Sequence, residues 1–135
     1  MSFINNLENS ILDHFVGNTT WTKDATLYIA LSTTTPNKTG GNFTEPSGNG
    51  YERVAAGAAN WNSAATGALD NSAALTFPSA SGGNWGTVTY AGIYSAETGG
   101  TLRAVGALTT AKAINDGDTA EFAIGDFDIS FNQSI

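Results

Sequence analysis

Apolar residues recur at three- and four-residue spacing at the start of the chain. Phe3, Ile4, Leu7, Ile11 and Phe15 form a single stripe, the pattern of an amphipathic helix. The spacing predicts a helix over residues 2–16, capped by Ser2 and stopped at Gly17 and Asn18. The stripe needs a cover. It serves either to close one end or edge of a β core or as a docking arm that packs on a neighbouring subunit. The chain accordingly divides into a helical arm over residues 1–18 and a β domain over residues 19–135.

Beyond Asn18 the helical period is lost. Residues 26–32 (TLYIALS) are an apolar run of strand formers, expected to be buried on both faces. Residues 33–50 (TTTPNKTGGNFTEPSGNG) have loop chemistry, with two prolines and several Gly, Asn and Thr. A connection of that length is commonly functional, and it is expected to lie at one tip of the domain and to make contacts outside it. Residues 51–56 follow as a short strand, and a weak strand is expected around Trp61. Ala73, Leu75 and Phe77 alternate up to Pro78, which is expected to close that strand. Residues 85–94 (WGTVTYAGIY) form a long strand, with Val88, Tyr90 and Tyr94 on one face and Trp85 and Ile93 on the other. Glu97, Thr98, Gly99 and Gly100 make a hairpin turn into a partner strand over residues 101–109. Asn115, Asp116, Gly117 and Asp118 make a second tight turn. It leads into residues 119–124, with Phe122 and Ile124 on one face. Residues 126–132 alternate strictly, with Phe127, Ile129 and Phe131 inward. The predicted fold is mostly β: a single antiparallel β-sandwich or barrel-like domain of seven or eight strands preceded by an N-terminal amphipathic helix.

Composition narrows the function. The 135 residues suffice for one real core, because a chain of this size buries about two-thirds of its unfolded surface. Cys is absent, which excludes a disulfide framework and thiolate catalysis. Twelve acidic residues against five basic ones leave a net charge of -7. Lys23, Lys38, Arg53, Arg103 and Lys112 stand singly along the chain, so nucleic acid is not an expected partner. Only 13% of residues are charged, against about a quarter in ordinary domains. Ala, Gly, Ser, Thr and Asn fill the surface instead, and they pack against protein or sugar with little charge desolvation. No stretch has the basic start and apolar run of a signal peptide, and none approaches the about 20 apolar residues of a membrane span.

Three stretches carry a resemblance: EPSGNGYER at 45–53, FPSASGGNWGTVTYAGIYSAETGG at 77–100, and NDGDTAEFAIGDFDIS at 115–130. In this order they resemble a family of small virion proteins of tailed bacteriophages, commonly labelled tail-fibre-like or minor structural proteins. The resemblance spans about three-quarters of the chain, residues 27–130. It implies a non-enzymatic β domain built into a virus particle, made in the cytoplasm of the host bacterium. Its partners would be other virion proteins, the major capsid protein or tail proteins. A fibre shaft elongates by repetition, and this chain has no internal repeat. One helix followed by one domain suits a homo-oligomeric protein that decorates and cements the capsid. The alternative is a tail-associated module that contacts a host glycan or another tail protein.

Candidate chemistry is sparse. His14 is the single histidine. A Ser-His-Asp triad would have to draw its other members from distant loops, so no catalytic residue is expected. Asp116, Asp118, Asp126 and Asp128 are close in sequence, but Ca²⁺ takes six to eight oxygens, and Asp-Gly is first a turn signal. No metal and no cofactor is expected. Of the large aromatics, Trp85 is expected to be packed. Trp61 lies in a polar stretch, where it suits an interface or a sugar face. The expected contact residues are Phe3, Leu7 and Ile11 from the helix and Phe43, Tyr51 and Trp61 from the first half of the β domain.

Overall fold

The computed structural model describes residues 1–131. Among them the chain forms β1 (Ser2–Phe3), α1 (Asn5–Phe15), β2 (Leu27–Ser32), β3 (Val54–Ala56), β4 (Ala68–Asp70), β5 (Leu75–Ser79), β6 (Gly86–Tyr94), β7 (Leu102–Ile114), β8 (Thr119–Phe122) and β9 (Asp128–Ser130). A short 3-10 turn, Ala58–Asn60, precedes Trp61. All strand pairs are antiparallel. The protein is mostly β, as expected, with nine strands in place of seven or eight. They form one five-stranded sheet, β1-β7-β6-β2-β3, and two ribbons, β4-β9 and β5-β8, with no closed barrel among the described residues.

The first residues depart from the helical pattern. Ser2 and Phe3 pair with Val105 and Ala104 of β7, and the Ile4 N–H donates to the Arg103 carbonyl at 2.8 Å. A sheet edge competes for these residues and outweighs their helical spacing. The helix therefore starts at Asn5, and Ser2 does not cap it. Its end is as the sequence predicts. Gly17 at φ +79° turns the chain, with Asn18 N–H donating to Asp13 and Gly17 N–H to His14, a Schellman closure.

The main core lies between the five-stranded sheet and the ribbons. Ile29 and Leu31 of β2, Ala91 and Ile93 of β6 and Ala104 of β7 meet Leu75, Phe77 and Phe127 there. Aromatic edges interlock through it, Phe122 against Phe127 at 5.0 Å and Tyr51 against Trp85 at 5.2 Å. Trp85, Val88 and Ile93 share this core, so the assignment of Val88 and Ile93 to opposite faces is corrected. The cause is a bulge: Val88 pairs with Lys112 but Tyr90 with Ala107, so the register shifts by three residues across Thr89. Pro78 likewise sits inside β5, at a register irregularity between Thr76 and Ser79 that tolerates its missing N–H. Ile124 is exposed, not inward beside Phe122, because β8 ends first and Gly125 turns the chain. Phe131 is also largely exposed, though it lies edge-on to Phe3. Asn132, the last residue of that expected strand, lies outside the described residues.

The opposite face of the sheet is covered as well. Ile4, Leu102 and Val105 form a second buried cluster, with Phe43 and Tyr94 packed on it. The 33–50 loop therefore lies back over the sheet and does not project from a tip. Its Phe43 ring needs Gly92 beneath it, since a Cβ there would stand 2.6 Å from Phe43 Cε2. Asn71, fully buried, joins the segments after β4 and β8. Its side chain donates to the Ala73 and Ala123 carbonyls and accepts from the Phe127 N–H, at 2.8, 2.8 and 2.9 Å.

Candidate functional site

A densely bonded polar group is built from the EPSGNGYER stretch. Arg53 enters on the residue before β3 and meets Glu45 from the loop, Nε to Oε1 at 2.9 Å and Nη2 to Oε2 at 2.7 Å. Its Nη1 donates to the Ala96 and Gly99 carbonyls of the β6–β7 hairpin at 2.7 and 2.8 Å. The guanidinium lies 3.5 Å from the centre of the Tyr94 ring. Its side chain is only 8% exposed, so this is a desolvated, bidentate pair of the stronger kind. Burial alone would lower the Arg53 pKa, but the hydrogen bonds and charge of Glu45 reverse this and raise it. Tyr51 completes the group. Its hydroxyl donates to Glu45 Oε1 and accepts from the Leu31 N–H, each at 2.9 Å. Burial, and secondarily the Glu45 charge, push its pKa well above the ordinary tyrosine value. Tyr94 is raised for the same two reasons, against the lowering effect of Arg53. Both phenols therefore stay protonated at neutral pH, and the group acts as a clamp that fixes the loop, β3 and the hairpin to one another.

A second clamp joins the chain after α1 to the sheet. Arg103 makes two 2.8 Å bonds to Asp24. The His14 Nδ1 accepts from the Trp21 N–H at 3.2 Å. Asp116 accepts from Gly82 N–H and Asp118 from Asn115 N–H, so both serve turns. Among the described residues no three metal-ligating side chains converge, and no helix is long and apolar enough to cross a membrane.

Two further surface features stand out among the described residues. The last turn of α1 exposes Leu12 and Phe15, with Val16 beside them, and Phe15 is 84% exposed. Between β7 and β8 lies a cleft of about 940 Å³.

A family model described as Podophage GP4 fiber I protein gp80 matches residues 2–130. The chain belongs to this family. It is accordingly a bacteriophage structural protein, a component of the virion that meets other virion proteins. No curated protein matches the chain.

In this gp80-family chain the expected contact residues do not form one surface. Phe3 and Trp61 pack partly buried on the main core, Trp61 against Phe127 with its Nε1–H on the Ala56 carbonyl at 3.2 Å. Tyr51 lies between Phe77 and Trp85. Phe43 covers Gly92 on the opposite face. Leu7 is buried and Ile11 half-buried, while Phe15, expected to be covered with them, stands in solvent. The reason is that α1 reaches the sheet only through its first turns. The exposed residues Leu12 and Val16 lie off the predicted stripe, so only the docked helix reveals them. The cleft was equally hidden, because it arises where two strands adjacent in sequence part company.

Proposed function

We propose that this chain is a non-enzymatic module of a podophage tail fibre, present in several copies and attached to its neighbours through the exposed end of α1. The observation that carries this reading is the match to a fibre I family model over residues 2–130. The architecture supports it. The Arg53 and Arg103 clamps tie loop, helix segment and sheet into a stiff unit, as a part under mechanical load requires. Leu12, Phe15 and Val16 form an apolar patch that gains by being covered. Copies arranged about a fibre axis would bury it repeatedly, so each contact contributes only modestly.

A position on the capsid shell, as a decoration protein, is the second reading. It is favoured by the lack of any internal repeat, which makes the chain a single knob or adaptor and not a length of shaft. Electron microscopy of particles carrying a tagged copy decides between the two. Label confined to the tail, at a few copies per particle, supports the fibre module. Label spread over the shell in lattice stoichiometry overturns it in favour of decoration.

A further inference from the structure

β7 and β8 are joined by a four-residue turn, Asn115 to Asp118, yet they do not pair with each other. β7 stays in the five-stranded sheet, while β8 leaves it to pair with β5. The cleft lies where they diverge, and its floor is apolar, with Leu31, Val88 and Phe127 beneath it. Its walls are strand edges. Among the described residues β1 pairs with β7 only at Ala104 and Val105, and residues 108–111 of β7 have no register partner on β6 either. β8 is paired on one side alone. The rim is acidic: among the described side chains that line the cleft, the carboxylates Asp118, Glu121, Asp126 and Asp128 outnumber the cation Lys112.

We propose that this cleft takes an extended, Lys- or Arg-bearing segment of a different virion polypeptide as an added β-strand. The proposal rests on reading the chain as a virion component. Three features select the occupant. Unpaired strand edges offer backbone donors and acceptors in a row, which an extended chain satisfies. The apolar floor takes alternate side chains, because a strand points every second one the same way. The rim then faces the remaining side chains and favours cations. A second copy of this chain is a poor occupant, since its basic residues Lys23, Lys38, Arg53, Arg103 and Lys112 stand singly and no short segment of it carries two of them.

The test uses the purified full chain and capped synthetic peptides of about eight residues, long enough at ~3.3 Å per residue to span β8. One alternates Lys and Val, a second alternates Glu and Val, and a third alternates Lys and Pro, which cannot pair as a strand. The Lys-Val peptide is expected to bind and to slow amide exchange in residues 108–111 and in β8. The other two are expected to fail. The double variant Asp126→Asn with Asp128→Asn, whose exposed side chains bond to nothing among the described residues, should keep its melting temperature and bind the Lys-Val peptide several-fold more weakly. Failure of the Lys-Val peptide to bind overturns the proposal, as does equal binding of the Glu-Val or Lys-Pro peptide. Self-association that protects the same amides also overturns it and assigns the cleft to a second copy. The tagged-particle experiment separates the two readings. A chain that is present on particles but does not bind the Lys-Val peptide leaves the virion role standing without the cleft. A chain absent from particles removes the virion role itself.

Discussion

Arg53 and Glu45 meet through two parallel hydrogen bonds of 2.9 and 2.7 Å, and through this pair the long loop is fastened to the hairpin between β6 and β7. Replacing Arg53 by Met strands the Glu45 carboxylate in a partly desolvated site and releases two hairpin carbonyls. The expected cost is about 3 kcal/mol, read as a drop in the urea midpoint with unchanged slope. Lys at this position keeps the charge but not the bidentate fork, and should recover only part of the loss. Equal stability of Arg53→Met and wild type would mean that the clamp does not hold the loop.

Stability should fall in alkali for a nameable reason. Tyr51 and Tyr94 have pKa values raised above the ordinary 10.0 in the folded chain, chiefly by burial. Above that pH the unfolded chain releases these protons and the folded chain retains them. Their contribution to stability is therefore level below about pH 10 and declines as pH rises beyond it. Tyr51→Phe should flatten part of this decline while costing about 1–3 kcal/mol at pH 7, since the Leu31 N–H loses its acceptor. Denaturant titrations at pH 8 and pH 11 on both proteins measure the two effects separately.

Gly92 admits the Phe43 ring. Gly92→Ala places a Cβ 2.6 Å from Phe43 Cε2 and 2.9 Å from Leu102 Cδ1, and overpacking of this kind costs about 1–3 kcal/mol. Adding Phe43→Ala removes the first clash. The two changes should then be less than additive in a double-mutant cycle, and strict additivity would show that the ring does not rest on Gly92.

Asn71 is fully buried with both ends of its amide engaged. Asn71→Ala leaves two carbonyls and the Phe127 N–H without their partner, at about 1–3 kcal/mol for each group that water does not reach. Calorimetry should show a melting temperature lower by many degrees, and a shift of one or two degrees would contradict the hub role.

The helix separates folding from attachment. Leu7→Asp buries a charge against the sheet and should cost several kcal/mol. Phe15→Asp changes an exposed residue and should alter stability by no more than about 0.5 kcal/mol, while reducing incorporation of the chain into particles. Full incorporation of the Phe15→Asp protein would exclude the helix end as an attachment point.

Much of the architecture was legible because its signals are local. The strict alternation around Phe127 and Ile129, the Gly99-Gly100 and Asp116-Gly117 turns, and the Gly17 helix stop all arise within a few residues of backbone and are encoded there. The EPSGNGYER, FPSASGGNWGTVT and NDGDTAEF stretches likewise carried the family, which the match over residues 2–130 bears out.

What sequence alone determined was the class of the protein: a mostly β chain, opened by a helix and punctuated by glycine turns, from a family of phage structural proteins. Only the tertiary structure decided which distant segments meet. It drew Ser2 and Phe3 out of the helix and onto β7, folded the 33–50 loop over Gly92, and joined Glu45 through Arg53 to Ala96 and Gly99. It shifted the register at Thr89 and parted β7 from β8. Each of these rests on hydrogen bonds and packing between residues tens of positions apart. Periodicity reports which side of an element is apolar, whereas the partner that covers that side is selected by competition among all the surfaces of the folded chain.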